Sequence, residues 1–573
     1  MKNFRLFTFV IIAAVVFSSC NSLEKMKKNH PDVTYKVVPE VLKEQGGEVE
    51  IAITGTFPEK YFNKKANVEI TPVLVYQGGE TAFKPVTFQG EKVMGNNKVI
   101  STTDGGGFNY SDKVPFEDVM RKSDLVLRVK AFKDEKKEVY FDDMKVADGV
   151  IATSTYVMKK AEPIIMPDKY QRIVAETKTA ALMFQINRAN IRSSQMKSDE
   201  IKKLKDFVKL VEASKNLEFT GTDISAYASP DGPLELNTKL SEKRAVNSKK
   251  YLERELKRAK VEEAKSDNFI NTKTTAEDWD GFQKLMAQSN IQDKELILRV
   301  LSMYSDPAVR EKEIKNISTA YKEIAKEILP KLRRSKINVN VNKIGLSDDE
   351  IMQYIKTKAD TLGIEEILYA ATLTEDNGTK AKIYSYALNR YPSCVRAANN
   401  MGVIQMNEGN YEEAKVSFEK AQSLNDNDMV KNNLGYANLV LGDDVKAKEY
   451  FTSVGNPGKE TNDGLGILAI IEGNYQDAVN YFGTTPSYNA ALAKVLNGDD
   501  QGARTMLDGI NNDKCYHLAY LKAIVGAHLG DETYMWDNLK KATDLNADMK
   551  KVLATDMEFG KYFADDRFSA LTK

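Results

Sequence analysis

The turn Ser229-Pro230-Asp231-Gly232 leads into a long basic stretch, Leu240 to Lys260, that carries Arg244 near its start. An arginine so placed suits a carboxylate, because its planar guanidinium can donate two parallel hydrogen bonds to the two carboxylate oxygens. The plainer reading is a surface cation that pairs with Asp231 or Glu235. Arg333 and Arg334 stand just before an alternating run, Ile337, Val339 and Val341. There they either add positive charge beside Arg244 or guard a strand edge. Near the C-terminus Cys515, His517 and His528 lie close in sequence, but no further ligand motif accompanies them. They read as packing residues, so no metal site and no catalytic residue is expected. Cys394 and Cys515 fall in different helical units and read as buried thiols in preference to a disulfide.

Three regions must position these groups, so the expected fold is multidomain. From Val33 to Ile165 apolar residues alternate, as in Val49, Ile51 and Ile53 and again in Leu125, Leu127 and Val129, with Gly and Asn clusters between the runs. This period of two predicts an all-β antiparallel sandwich. Between Tyr170 and Gly345 strand and helix alternate. A strand is expected over 181–191, a helical stripe at Ile201, Leu204, Val208 and Val211, a second strand over 219–227 and a closing strand at Ile337 to Val341. This is an α/β sandwich with a helical insert over 276–332, whose expected buried set is Trp279, Phe282, Leu285, Leu296 and Leu301. From Ile351 to the end only helices are expected, and a phrase recurs: GNYEEA at Gly409, GDDVKA at Gly442, GNYQDA at Gly473, GDDQGA at Gly498 and GDET at Gly530. The spacing marks a helical repeat array.

Composition narrows the function. In 573 residues, 82 Lys and Arg balance 82 Asp and Glu, which leaves no overall field for a polyanion, so no nucleic-acid partner is expected. Three Cys and three His are too few for a disulfide framework or a Cys/His zinc cluster. No phosphate-binding loop or dinucleotide fingerprint stands between a strand and a helix. No cofactor is expected, and the chain is read as a non-enzyme.

The N-terminus, MKNFRLFTFVIIAAVVFSSC, has the positive start, short apolar run and small residues of a secretory signal. Its ending, Ser18-Ser19-Cys20, resembles the lipobox of bacterial lipoproteins. The resemblance implies cleavage before Cys20 and acylation of its sulfur, hence a membrane partner through a lipid anchor. Asn21 then points to the outer membrane, with the periplasmic face favoured over the cell surface. The expected organisation is a signal over 1–19, a tether over 20–32, a β-sandwich over 33–165, an α/β domain over 170–345 and repeats over 351–573.

The unit NMGVIQMNEGNYEEAKVSFEKAQSLNDND resembles the tetratricopeptide repeat, with Gly402, Gly409, Tyr411, Ala414, Phe418 and Ala421 at the family spacing. Small residues there let two helices approach while aromatics fill the gap between neighbours. The resemblance implies an all-α solenoid whose concave face holds protein partners. Asn399, Asn400, Asn432 and Asn433 are the candidate groove residues, unless they only hydrate an exposed face.

The stretch AYASPDGPLELNTKLSEKRAVNSKKYL resembles the C-terminal domain of OmpA and the peptidoglycan-associated lipoproteins, with Gly232, Asn237, Leu240, Ser241, Arg244 and Ala245 at matching positions. The resemblance implies a site for the peptidoglycan stem peptide built from Arg244, Ser229, Asp231, Asn237, Arg333 and Arg334. Ser229 stands where the family carries an Asp that pairs with the ligand's ammonium, and Asp231 is the acid that could reach inward in its place. The function implied is a scaffold that grips the cell wall through this domain and proteins through its repeats. The alternative is a component of a surface secretion or adhesin assembly whose OmpA-like domain has lost its ligand.

Overall fold

The computed structural model describes residues 22–133 and 137–573. Cys20 and the signal lie outside the described residues.

The first region contains the strands β1 (Thr34–Val38), β2 (Val41–Gln45), β3 (Glu48–Phe57), β4 (Asn67–Tyr76), β5 (Gly79–Ala82), β6 (Val86–Gly90), β7 (Lys98–Ile100), β8 (Gly106–Pro115), β9 (Ser123–Lys133), β10 (Lys137–Tyr140) and β11 (Met144–Ile151). They join in the order β1-β3-β2-β11-β9-β4-β6-β7, with β8 beside β3, β5 beside β4 and β10 beside β9. The alternation read from the sequence is the cause. Val49, Ile51, Ile53 and Phe57 of β3 and Leu125, Leu127, Val129 and Ala131 of β9 turn into one core, while the intervening residues stay outside or half-buried. Each fully buried large apolar side chain contributes about 1.5–3 kcal/mol. The region is β-rich as expected, but its pairing is not purely antiparallel. β2 pairs with β3 at one end and then runs parallel to β11, and β6 and β7 are also parallel. β2 thereby links both groups of strands into a single sheet around one core.

Residues 22–32, expected as a tether, are helical, and Leu23 and Met26 are buried in the β core. His30 is buried with them, its Nδ1 3.3 Å from the Tyr61 hydroxyl and its ring 5.0 Å from that of Phe141. Apolar side chains spaced three apart on one face give this short helix a reason to dock.

The second region contains β12 (Ile173–Met183), β13 (Leu217–Tyr227), β14 (Ile270–Thr275) and β15 (Arg334–Ile344), in sheet order β12-β15-β13-β14. Only β13 and β14 pair in parallel. The helices Asp199–Ala213 and Leu234–Ala259 cover the sheet, burying Ile201, Leu204, Val208 and Val211 from the first and Tyr251, Leu252 and Leu256 from the second. The first strand starts earlier than expected and ends at Met183, so 184–191 is not strand. The insert has its own core of Phe282, Met286, Ile297, Leu301, Ile314, Ile324 and Ile328. Of the expected set, Phe282 and Leu301 are buried and Trp279 and Leu285 pack partly buried against this core, but Leu296 is exposed and Ile297 is buried in its place.

The last region is a series of helix pairs that includes Val395–Asn407 with Tyr411–Leu424, Asp428–Val440 with Asp444–Thr452, and Lys459–Ile471 with Tyr475–Phe482. The recurrent Gly has a backbone cause: Gly409, Gly442, Gly473, Gly498 and Gly530 have φ of +80°, +84°, +77°, +83° and +70°. Each ends a helix in the left-handed conformation that side chains disfavour. Gly402 has a packing cause, because a Cβ there would lie 2.6 Å from Cε1 of Phe418.

Contacts divide the chain into two compact units, residues up to Pro167 with Asp376–Lys573, and Asp168–Glu375. The β-rich region and the repeats therefore fold as one body, and the α/β region is inserted in sequence between them. The helices Asp348–Thr357 and Ile364–Ala370 belong to the inserted unit, although the sequence reading groups them with the repeats.

Candidate functional site

In the inserted unit, the β13 to helix turn and the start of the helix Leu234–Ala259 enclose a cavity of about 180 Å³, lined by Ser229, Asp231, Gly232, Asn237, Arg244 and Arg333 among others. Arg244 is not a surface cation: it is 1% exposed and pairs with neither Asp231 nor Glu235. Its Nε donates to the Arg188 carbonyl at 3.1 Å, Nη1 to Tyr227 at 2.8 Å and Nη2 to Gln185 at 3.3 Å, with the guanidinium 5.1 Å from the Phe184 ring centre. Burial and the neighbouring Arg333 charge lower its pKa to about 10, against the opposing pull of Asp231. The cation persists at neutral pH.

Asp231 does reach inward. Its Oδ1 accepts from the Ser229 hydroxyl and its Oδ2 from Nη2 of Arg333 at 3.0 Å, while Nε of Arg333 donates to Ser229 Oγ at 3.1 Å. Arg333 is 8% exposed and is no strand-edge guard. Asn237 fixes the turn by donating to the Gly232 carbonyl at 2.9 Å. Arg334 points to a different partner, Asp278 at 2.8 Å, and stacks over Tyr227 at 4.5 Å. Five of the six residues named from the sequence thus meet in one cavity, and Arg334 does not. The carbonyls of Gln185, Arg188 and Tyr227 carried no sequence signal, because every residue has a carbonyl.

The repeat asparagines behave differently from the expectation of a free groove. Asn399, Asn400, Asn432 and Asn433 are at most 3% exposed, and an extended segment of the same chain, 157–167, lies across them. Asn433 Oδ1 accepts from the Ile164 amide at 2.6 Å, and its Nδ2 donates to the Ile164 carbonyl at 2.8 Å. Asn400 does the same with Met166, at 2.8 Å in both directions. Asn399 adds a second donor to the Ile164 carbonyl at 2.9 Å. Asn432 does not touch the segment; it donates to Asn433 at 3.2 Å and accepts from Thr461 at 3.0 Å, which fixes the amide of its neighbour. Asn489, unmarked by the sequence reading, brackets the backbone of Met158 at 3.0 and 2.8 Å. Two side chains of the strap itself make ion pairs with the repeats, Lys159 with Asp444 at 2.9 Å and Glu162 with Lys459 at 3.1 Å.

The helix pair that carries Asn399 and Asn400 decides the family of this region, because the tetratricopeptide repeat model matches residues 395–428. This segment is a tetratricopeptide repeat. No curated protein matches the chain. Among solved structures, the Cut9–Hcn1 hetero-tetramer of the APC/C is 13% identical over 39% of this chain and 45% of that one, with a TM-score of 0.32. The chain thus spans less than half of that relative. A tetratricopeptide repeat protein from Parabacteroides merdae is 14% identical over 37% of this chain and 90% of that one, with a TM-score of 0.29. YrrB, described as a tetratricopeptide repeat protein with an unusual peptide-binding site, is 17% identical over 38% of this chain and 100% of that one, with a TM-score of 0.23.

Tetratricopeptide repeats generally serve protein contacts. In this one the asparagine row is already engaged, and the strap has a sequence signature in hindsight. Pro163 and Pro167 bracket Ile164-Ile165-Met166, and a proline biases both itself and the residue before it away from helix. Further contacts join the β-rich region to the last repeats. Gln45 donates to the Gly473 carbonyl at 2.8 Å, and the Tyr156 hydroxyl donates to Asp556 at 2.7 Å, a carboxylate that also accepts from Tyr520 of the repeats at 2.5 Å.

The C-terminal trio is dispersed among other partners. His528 bridges Asp500 at 2.8 Å and Glu558 at 2.7 Å, His517 packs against the Tyr516 ring at 3.8 Å, and Cys394 and Cys515 are free and half-buried. Burial opposes the His528 cation, but its two carboxylate hydrogen bonds prevail and raise its pKa to about 10. Among the described residues no three His, Cys, Asp or Glu gather as a metal site, and no helix is long and apolar enough to cross a membrane.

Proposed function

We propose that this chain is a non-enzymatic, lipid-anchored scaffold of the bacterial outer membrane whose inserted unit is OmpA-like and grips peptidoglycan stem peptides. The observation that carries this reading is the convergence of Arg244, Asp231 and Arg333 on one small cavity beside a helix start. The order of strands and helices in Asp168–Glu375 supports it, as does the position of Arg244 on the second helix. An acyl group on Cys20 would stand three residues before the first core residue, Leu23, a reach of about 10 Å at full extension. The anchored chain would then face the periplasm, with the β-rich region held close to the membrane. The repeats, with their asparagine row occupied, would meet protein partners on other faces.

The test is co-sedimentation of the mature chain carrying Cys20→Ser with diaminopimelate-type peptidoglycan, beside Arg244→Lys and Arg333→Gln. Circular dichroism confirms that each variant is folded. Binding by the parent and loss in both variants is the expected result. Equal sedimentation of all three removes this cavity as the wall site, and no sedimentation by the parent removes the wall and leaves a docking component of a surface assembly.

A further inference from the structure

We propose that the cavity beside Arg244 selects a carboxylate that bears no ammonium on the same carbon, and that the lack of an acid at position 229 sets this selectivity. The inference deepens the wall-binding reading by naming what part of a ligand the site can read. Two cations and one anion line the cavity: Arg244, Arg333 and Asp231. Each oxygen of Asp231 already accepts a hydrogen bond, one from the Ser229 hydroxyl and the other from Arg333 at 3.0 Å, and Arg333 balances its charge. Lys315, from the helical insert, lies within the electrostatic reach of Asp231 but is itself paired with Glu311. A ligand ammonium would have to share Asp231 with Arg333 while facing the second guanidinium with no further acid in the lining.

A carboxylate meets the opposite situation. Arg244 spends three of its five N–H groups on carbonyls, leaving one on Nη1 and one on Nη2 without an acceptor among the described residues. The start of the helix Leu234–Ala259 also lines the cavity through Leu236 and Asn237, and its dipole favours negative charge there. Had residue 229 been an acid, the lining would hold two carboxylates against two guanidiniums and a zwitterion would balance it. Ser229 holds Asp231 toward Arg333 and leaves the site one positive charge in excess.

The experiment is isothermal titration of the full mature chain carrying Cys20→Ser with three probes: N-acetyl-D-alanine, D-alanine and meso-diaminopimelate. The first should bind about 10- to 100-fold more tightly than the other two, the worth of one charge-assisted hydrogen bond. Ser229→Asp should reverse the order, and Ser229→Ala should keep it. Equal or tighter binding of either zwitterion by the parent overturns the proposal, as does the absence of binding by all three probes. A folded Ser229→Asp with an unchanged order also overturns it; if that variant does not fold, the parent titration decides alone. Sedimentation with whole peptidoglycan separates the two readings, since it reports wall binding whichever ligand group is preferred.

Discussion

Asn433 holds Ile164 by both of its backbone groups, the amide at 2.6 Å and the carbonyl at 2.8 Å. One repeat earlier Asn400 holds Met166 in the same way, so the strap runs against the order of the repeats and offers every second residue to the row. A side-chain amide can do this because it carries one acceptor and two donors, the complement of a peptide unit.

Asn433→Ala should therefore destabilise the unit by about 2 kcal/mol, since it leaves partly buried backbone groups of the strap without partners. Ile165→Ala, on the exposed side of the strap at 44% exposure, should stay within about 0.5 kcal/mol. Urea unfolding of the two variants measures the contrast, and equal effects would mean that the strap is held by its side chains instead.

A labelled peptide copying residues 157–167 should not bind the intact chain below roughly millimolar concentration, because a covalently joined competitor acts at millimolar effective concentration. Fluorescence anisotropy reads this directly. Micromolar binding would show that the resident strap leaves the row much of the time.

His30 and His528 should shape the stability profile in opposite directions. Burial lowers the pKa of His30 to about 4, so its contribution is present above the unfolded value near 6.5 and lost as pH falls toward 4. His528 is raised to about 10, so its contribution is full below 6.5 and lost as pH rises toward 10. His30→Phe should flatten the acid limb and His528→Gln the alkaline limb, as followed by denaturation midpoints at each pH. A variant that lowers stability equally at all pH values would contradict its assignment.

Gly402→Ala should cost about 1–3 kcal/mol, because the new Cβ would sit 2.6 Å from Cε1 of Phe418 in a close-packed interior. Phe418→Leu should recover part of that loss when combined with it. A double-mutant cycle of thermal midpoints measures the coupling, and strict additivity would place the strain elsewhere.

By itself the sequence determined what depends on short-range pattern. The alternation in β3 and β9, the stripe Ile201 to Val211, the left-handed glycines that end the repeat helices and the match of Gly402 to Phe418 are all local relations between neighbours on one element or one hairpin. Arg244, Asp231 and Ser229 were legible for the same reason, lying on one turn and the helix it enters. Tertiary structure alone decided where long-range partners stand. It buried Arg244 among three carbonyls, joined Asp231 to Arg333 across about a hundred residues, and laid 157–167 along asparagines more than two hundred residues away. Such contacts leave little trace in a local pattern, because an amide row that reads backbone places almost no demand on the side chains it holds.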